Sequence, residues 1–136
     1  MLRRWFLILM MACFVTPVWA ADEDGEEAVP EDYINYIEMK PFIANFSSTG
    51  KLRFLKCQVT VQVATPAAHH AVNYYKPEIR HEVLMLLSDK QESQLKSVEA
   101  QDALAKELLA AVQKVLLAEE GEAFVSDLFF TSFVIQ

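Results

Sequence analysis

Between Leu52 and Ala64 the chain alternates strictly: Leu55, Cys57, Val59, Val61 and Val63 are apolar, and Lys56, Gln58, Thr60 and Gln62 between them are polar. Successive side chains of a strand point to opposite faces, so this period of two predicts a strand with one buried and one wet face. Upstream, Tyr33 to Phe46 has strand composition interrupted at Pro41. Proline cannot donate to a ladder, so Pro41 marks an edge or a bulge. Ser47-Ser48-Thr49-Gly50 lies between the two runs and has turn composition, with Gly50 suited to a positive φ. The two segments are expected to pair as an antiparallel hairpin.

Downstream the period changes. Pro66 to Tyr75 is ambiguous, although its alanines permit a short helix. Pro77 suits the first turn of a following helix, where its missing N–H costs nothing. Ile79, Val83 and Leu86 are spaced by four and three and so share a helical face. Ser88 is placed to cap a short turn with Gln91 at the capping-box position, and Ser97 to cap the last helix. Along that helix Leu104, Leu108, Ala111, Val112 and Val115 form an apolar stripe while Asp102, Lys106 and Gln113 face elsewhere. Gly121 is a natural residue to end it.

Phe124 to Gln136 returns to strand-like composition, so this terminal stretch is expected to be built into a sheet. Its alternation is poor because both faces are apolar. Simple parity puts Phe129, Phe133 and Ile135 on one side, with Leu128, Phe130 and Val134 on the other. A strand apolar on both faces is central, or one face meets a partner. Phe129, Phe130, Phe133 and Ile135 are therefore the candidate partner face. The predicted fold class is α+β: a small antiparallel sheet packed against two or more helices.

The first residues carry a different signal. Arg3 and Arg4 are the only charges before Asp22, and Trp5 to Val15 is an unbroken apolar run. Val18-Trp19-Ala20 places small residues at the minus-three and minus-one positions of a cut between Ala20 and Ala21. That order is a secretory signal peptide over residues 1–20. An uncleaved membrane anchor is the competing reading, because the apolar stretch Trp5 to Ala21 reaches the lower limit of about 17 residues for a helical span. A lipoprotein reading through Cys13 is weaker, since Met10-Met11-Ala12 is a poor box. Either main reading keeps the basic start cytoplasmic and sends the rest across the inner membrane. Residues 21–32 hold seven acids and one glycine, the composition of a solvated linker. Residues 33–136 form the folded domain.

Charge and cysteine content narrow the function classes. Cleavage takes Lys plus Arg from 12 to 10 against 19 acids, and the net charge from −7 to −9. That balance repels phosphate backbones, so no nucleic-acid partner is expected. Broad attraction to anionic headgroups is disfavoured likewise. Cys57 alone would survive cleavage and cannot form an internal disulfide.

The candidate chemistry is thin. His69 and His70 are adjacent, so on a helix they diverge by about 100° and do not converge on one ion. His81 lies on another element. Cys57 sits on the apolar face of the best strand and reads as a small core hydrophobe. Glu78 and Glu82 share a helix face, but nothing around them is arranged to separate two carboxyl pKa values. Glu92 and Lys96 make an ordinary i,i+4 pair. Gly25, Gly50 and Gly121 are far apart, so no phosphate-cradling loop exists. No catalytic residue, cofactor, metal or small-molecule substrate is expected, and the chain is read as non-enzymatic.

Four segments, taken in order, carry a resemblance: Pro41-Phe42-Ile43-Ala44-Asn45-Phe46, Arg53-Phe54-Leu55-Lys56, Ile79 through Ser88, and Phe129 through Gln136. Together they resemble the flagellar basal body-associated protein family FliL, across about residues 33 to 136. The resemblance implies a domain similar to the stomatin-type (SPFH) fold. It also implies a location on the periplasmic face of the bacterial inner membrane, at the flagellar basal body. There such a domain would self-associate into a ring and bind the flagellar stator, supporting rotation, swimming or swarming motility and chemotaxis. Most members carry a longer cytoplasmic tail and a plain transmembrane helix, whereas four residues precede the apolar run here and Pro17 interrupts its end. The cleaved leader therefore leaves an alternative, a secreted FliL-like scaffold of another inner-membrane complex.

Overall fold

A computed structural model describes residues 33–136. The expected leader (1–20) and acidic segment (21–32) lie outside the described residues. The sheet is built from β1 (Asn35–Glu38), β2 (Phe42–Ser48), β3 (Lys51–Val63) and β4 (Val125–Ile135). All pairings are antiparallel and all involve β3. Because β1 and β4 both pair with the 60–63 end of β3, they must lie on opposite sides of it. β2 and β4 both pair with residues 55–57, so they also lie on opposite sides. β1 and β2 are therefore one interrupted strand along the same edge of β3, and the sheet is three strands wide.

The interruption is the expected bulge at Pro41. Glu38 faces Thr60 and Phe42 faces Cys57, so Met39-Lys40-Pro41 oppose only Gln58-Val59. The extra residue resets parity, which lets Ile37 and Met39 before it and Phe42, Ala44 and Phe46 after it all point into the core. The predicted hairpin also forms. Ser48 pairs with Lys51 across Thr49-Gly50, and both turn residues take positive φ, 22° and 80°. A two-residue hairpin needs that to match the strand twist.

The helices cover one face of the sheet. The ambiguous stretch after β3 resolves as α1 (Pro66–Tyr74), because the Thr65 hydroxyl accepts the Ala68 N–H at 3.0 Å and Pro66 starts the helix. α2 (Lys76–Ser88) follows through Tyr75, with Pro77 in its first turn. The Tyr75 phenol donates to Glu120 Oε1 at 3.0 Å, tying this junction to the end of the last helix. α2 buries Ile79, Val83 and Leu87; Leu87 takes the place expected for Leu86, which is only partly covered. Ser88 does not cap the next turn. Gln91 does, in a reciprocal box with Gln94 around the short turn Glu92–Gln94. α3 (Val98–Glu120) starts at Ser97, whose hydroxyl accepts the Ala100 N–H at 3.0 Å, and ends at left-handed Gly121, φ 77°. Its buried stripe is Leu104, Leu108, Val112, Val115 and Leu116. Gln113 is not idle on the far side: its Nε2 donates to the Val125 carbonyl at 2.8 Å and fixes the entry into β4.

The core lies between this helix layer and one sheet face. Phe42, Leu55, Val59, Val61 and Val63 from the sheet meet Ile79, Leu87, Leu108 and Leu116 from the helices. Truncating any one of the buried leucines to alanine is expected to cost about 2–5 kcal/mol. The architecture is the predicted α+β class.

β4 corrects the parity reading. Its register slips twice against β3, at Gln58/Val59 and at Gln62/Val63. At the first slip Ser132 faces Gln58 and Phe130 faces Val59, leaving Thr131 unpaired. Leu128 and Phe130 before the bulge, and Phe133 and Ile135 after it, therefore all turn toward the helices. Phe129 and Val134 turn outward. Among the described residues β4 pairs only with β3, so it is an edge strand rather than a central one.

Candidate functional site

No group of three or more His, Cys, Asp and Glu side chains is placed to hold a metal among the described residues. The structure keeps the candidate polar groups apart. His69 Nδ1 lies 3.3 Å from Asn35 Nδ2, on α1, while His70 beside it is exposed. His81 is on α2, as are exposed Glu78 and Glu82. Cys57 is buried between strand partners and helices, and burial pushes its thiol up from 9.0 to about 12. A thiol held that firmly protonated is a packing group, not a nucleophile. Glu92 gathers cations at the helix side: Lys96 Nζ lies 2.5 Å from its carboxylate, and Arg53 pairs with it from β3.

The distinctive surface is the sheet face that the helices leave uncovered. Its residues are the outward set on all strands. Tyr36 comes from β1, Ile43 from β2, Leu52 and Phe54 from β3, and Phe129 and Val134 from β4. Ile43 is 62% exposed, Tyr36 57%, Phe54 43% and Phe129 39%. The register sorts them into two clusters. At one end the Tyr36 and Phe129 rings approach to 6.4 Å between centroids, tilted by 49°. At the other, Ile43 and Val134 flank Lys56 from either side, with Phe54 and Leu52 further along β3. A polar belt lies between, where Gln58 Nε2 donates to Glu38 Oε1 at 2.6 Å.

Scattered surface apolar residues are ordinary, but six large ones on a single sheet face are not. Aromatic anchors, with Lys56 and Glu38 as the charges set between them, match the aromatic-rich, partly polar make-up of a protein–protein contact. Of the four residues expected to form a partner face, only Phe129 is on this surface. Phe130, Phe133 and Ile135 pack against the core, and Phe130 and Phe133 meet edge to face at 5.1 Å. Tyr36, Ile43, Leu52 and Val134 complete the surface alongside Phe54. The signal was present for Leu52 and Phe54, which share the parity of polar Lys56 and Gln58 rather than that of the core residues.

Fold and surface together define a two-layer α+β domain with one sheet face in the core and the other apolar and open. Residues 36–136 match the family described as flagellar basal body-associated protein FliL. Among its relatives, the flagellar protein FliL of Aquifex aeolicus (strain VF5) is 28% identical over 109 residues, covering 80% of this chain and 65% of that protein. The flagellar protein FliL of Escherichia coli (strain K12) is 22% identical over 117 residues, covering 86% of this chain and 74% of that one. The chain belongs to the FliL family of flagellar basal body-associated proteins.

Proposed function

We propose that this protein is a non-enzymatic accessory of the flagellar motor. In this reading the folded domain acts in the periplasm beside the inner membrane, after export by the 1–20 leader with cleavage between Ala20 and Ala21. It self-associates and binds the stator, and thereby supports rotation, swimming or swarming, and chemotaxis. The outer sheet face around Tyr36, Ile43, Phe54, Phe129 and Val134 is the contact surface, and its exposure is the observation that carries the reading. To act on the motor, the domain must bind one stator arrangement more tightly than another, because equal affinity shifts nothing.

Two measurements test this. Photo-crosslinking from position 36 or 129 in motile cells should capture stator subunits or neighbouring copies, whereas position 114, on the exposed side of α3, should not. A tagged protein should gather at flagellar bases and disperse when the stator is removed. Diffuse periplasmic signal indifferent to the stator would favour the scaffold of another inner-membrane complex. Amino-terminal sequencing of the protein from membrane and periplasmic fractions settles the cleavage.

A further inference from the structure

A second surface has the opposite chemistry. Between the bulge that joins β1 to β2 and the first turns of α2 lies a cleft of about 810 Å³, lined by Lys40, Lys76, Arg80, His81, Asn73 and Glu38 among others. The two lysines have no ion-pair partner among the described residues. Arg80 is bonded to the Lys40 and Pro41 carbonyls, at 2.6 and 3.2 Å, and these carry no net charge. Glu38, hydrogen-bonded to the neutral Gln58 amide, is the one acid in the lining, set against Lys40, Lys76 and Arg80. Glu78 stands in the first turn of α2 but does not line the cleft.

The chain itself holds the complementary charge. Seven of its 19 acids fall between Asp22 and Asp32, whereas residues 33–136 carry ten basic and twelve acidic side chains. The folded domain is thus nearly neutral at −2, and the acidity is concentrated in the segment just before it. The first described strand, β1, begins close to the cleft. Asn35 touches His69 on α1, and Asn73, one helical turn of about 5–6 Å further along, lines the cleft. The eleven residues Asp22–Asp32 span at most about 36–40 Å when extended.

We propose that the acidic segment Asp22–Asp32 docks in cis on the Lys40–Lys76–Arg80 cleft as an electrostatic strap. Tethering favours this occupant, because a segment covalently joined to the domain presents its charges at an effective concentration in the millimolar range. An anionic membrane is the weaker candidate, since the segment would repel the surface it had to approach. When docked, the strap fixes the path by which the domain leaves its amino-terminal segment. A competing carboxylate-rich partner would release it. The inference stands on charge and position, independently of what the outer sheet face binds.

The test uses the protein purified from its host and a zero-length carbodiimide cross-linker, on an equal mixture of unlabelled and nitrogen-15-labelled chains. Links from residues 22–32 to Lys40 and Lys76 should exceed those to exposed Lys51, Lys106 and Lys114 by about tenfold, and each should join peptides of one isotope. They should fade in about 0.5 M salt, where the screening length falls to about 4 Å. Links spread evenly over the lysines would overturn the proposal, and so would mixed-isotope links, which would mean that a neighbouring copy supplies the strap. As a second readout, Lys40→Glu/Lys76→Glu should accelerate Glu-specific proteolysis within residues 22–32 several-fold without changing the melt of the domain. Unchanged proteolysis would sink the idea equally.

Discussion

Gln136 and Phe54 exchange both of their backbone hydrogen bonds, N–H to carbonyl in each direction, at 2.8 Å. This is the close pair of an antiparallel ladder, so pairing runs to the last residue of β4's path along β3. Removing Ile135 and Gln136 deletes those bonds and is expected to cost about 2 kcal/mol in a urea melt, plus the packing of Ile135. Removing Phe129 to Gln136 strips β3 of its partner from residue 54 to 60 and opens the core over Leu55, Cys57 and Val59. That truncation should not fold. A soluble, cooperatively melting product would show that β4 contributes little to the domain.

Arg80 does for the opposite edge what Gln136 does for this one. Its guanidinium donates to the Lys40 and Pro41 carbonyls and lies 4.2 Å from the centroid of the Phe42 ring. It therefore pins the bulge that turns both Met39 and Phe42 inward. Arg80→Ala is expected to destabilise by about 2–4 kcal/mol, from charge-assisted hydrogen bonds and a cation–π contact. Arg80→Lys keeps the charge but loses the fork that spans two carbonyls, so it should recover less than half of that. Equilibrium denaturation of the three proteins checks the order; a lysine variant as stable as the parent would remove the geometric part of the claim.

Both edges show where sequence patterning stops. Strict alternation in β3 identified five core residues, since a central strand with one covered face obeys a period of two without exception. The caps at Ser97 and Gly121 were equally legible, because a side-chain or backbone signal at one position is enough to end a helix. Bulges are different. Pro41 announces one, but Thr131 and Ser126 carry no special residue type, and a single unpaired residue inverts every assignment beyond it. That inversion moved Phe133 and Ile135 into the core and Val134 out of it. The open sheet face was hidden for the same reason: it is assembled from all four strands, and no one strand shows more than two of its apolar residues.

Cys57 gives a pH prediction. Its thiol titrates near 9.0 when exposed and near 12 in the folded domain. Above pH 9 the unfolded chain releases a proton that the folded chain retains, so unfolding becomes easier. Stability from this group is complete below pH 9 and falls between 9 and about 12, by up to about 1.4 kcal/mol per pH unit. Cys57→Ala should lower stability at neutral pH by about 1–2 kcal/mol through the lost packing, yet flatten the alkaline decline. Thiol-reactive dyes should label the parent only as fast as the domain opens. Rapid labelling of the folded protein would contradict the burial.

The outer face and the core face of β4 allow the sharpest separation of binding from folding. Phe129 and Phe130 are neighbours in sequence but lie on opposite sides of the sheet. Phe129→Ser should lose about 1 kcal/mol of stability, the worth of its ring contact with Tyr36. Phe130→Ala should lose about 2–4 kcal/mol, because it breaks an edge-to-face pair with Phe133 packed against the core. Partner affinity should respond in the reverse order. If the open face is the contact surface, Phe129→Ser and Tyr36→Ser should each weaken binding by about tenfold or more, a loss of at least about 1.4 kcal/mol, while the domain stays folded. Thermal melts and crosslinking yields, measured on the same preparations, separate the two effects. Motility that survives both outer-face substitutions at normal protein levels would place the contact elsewhere on the domain.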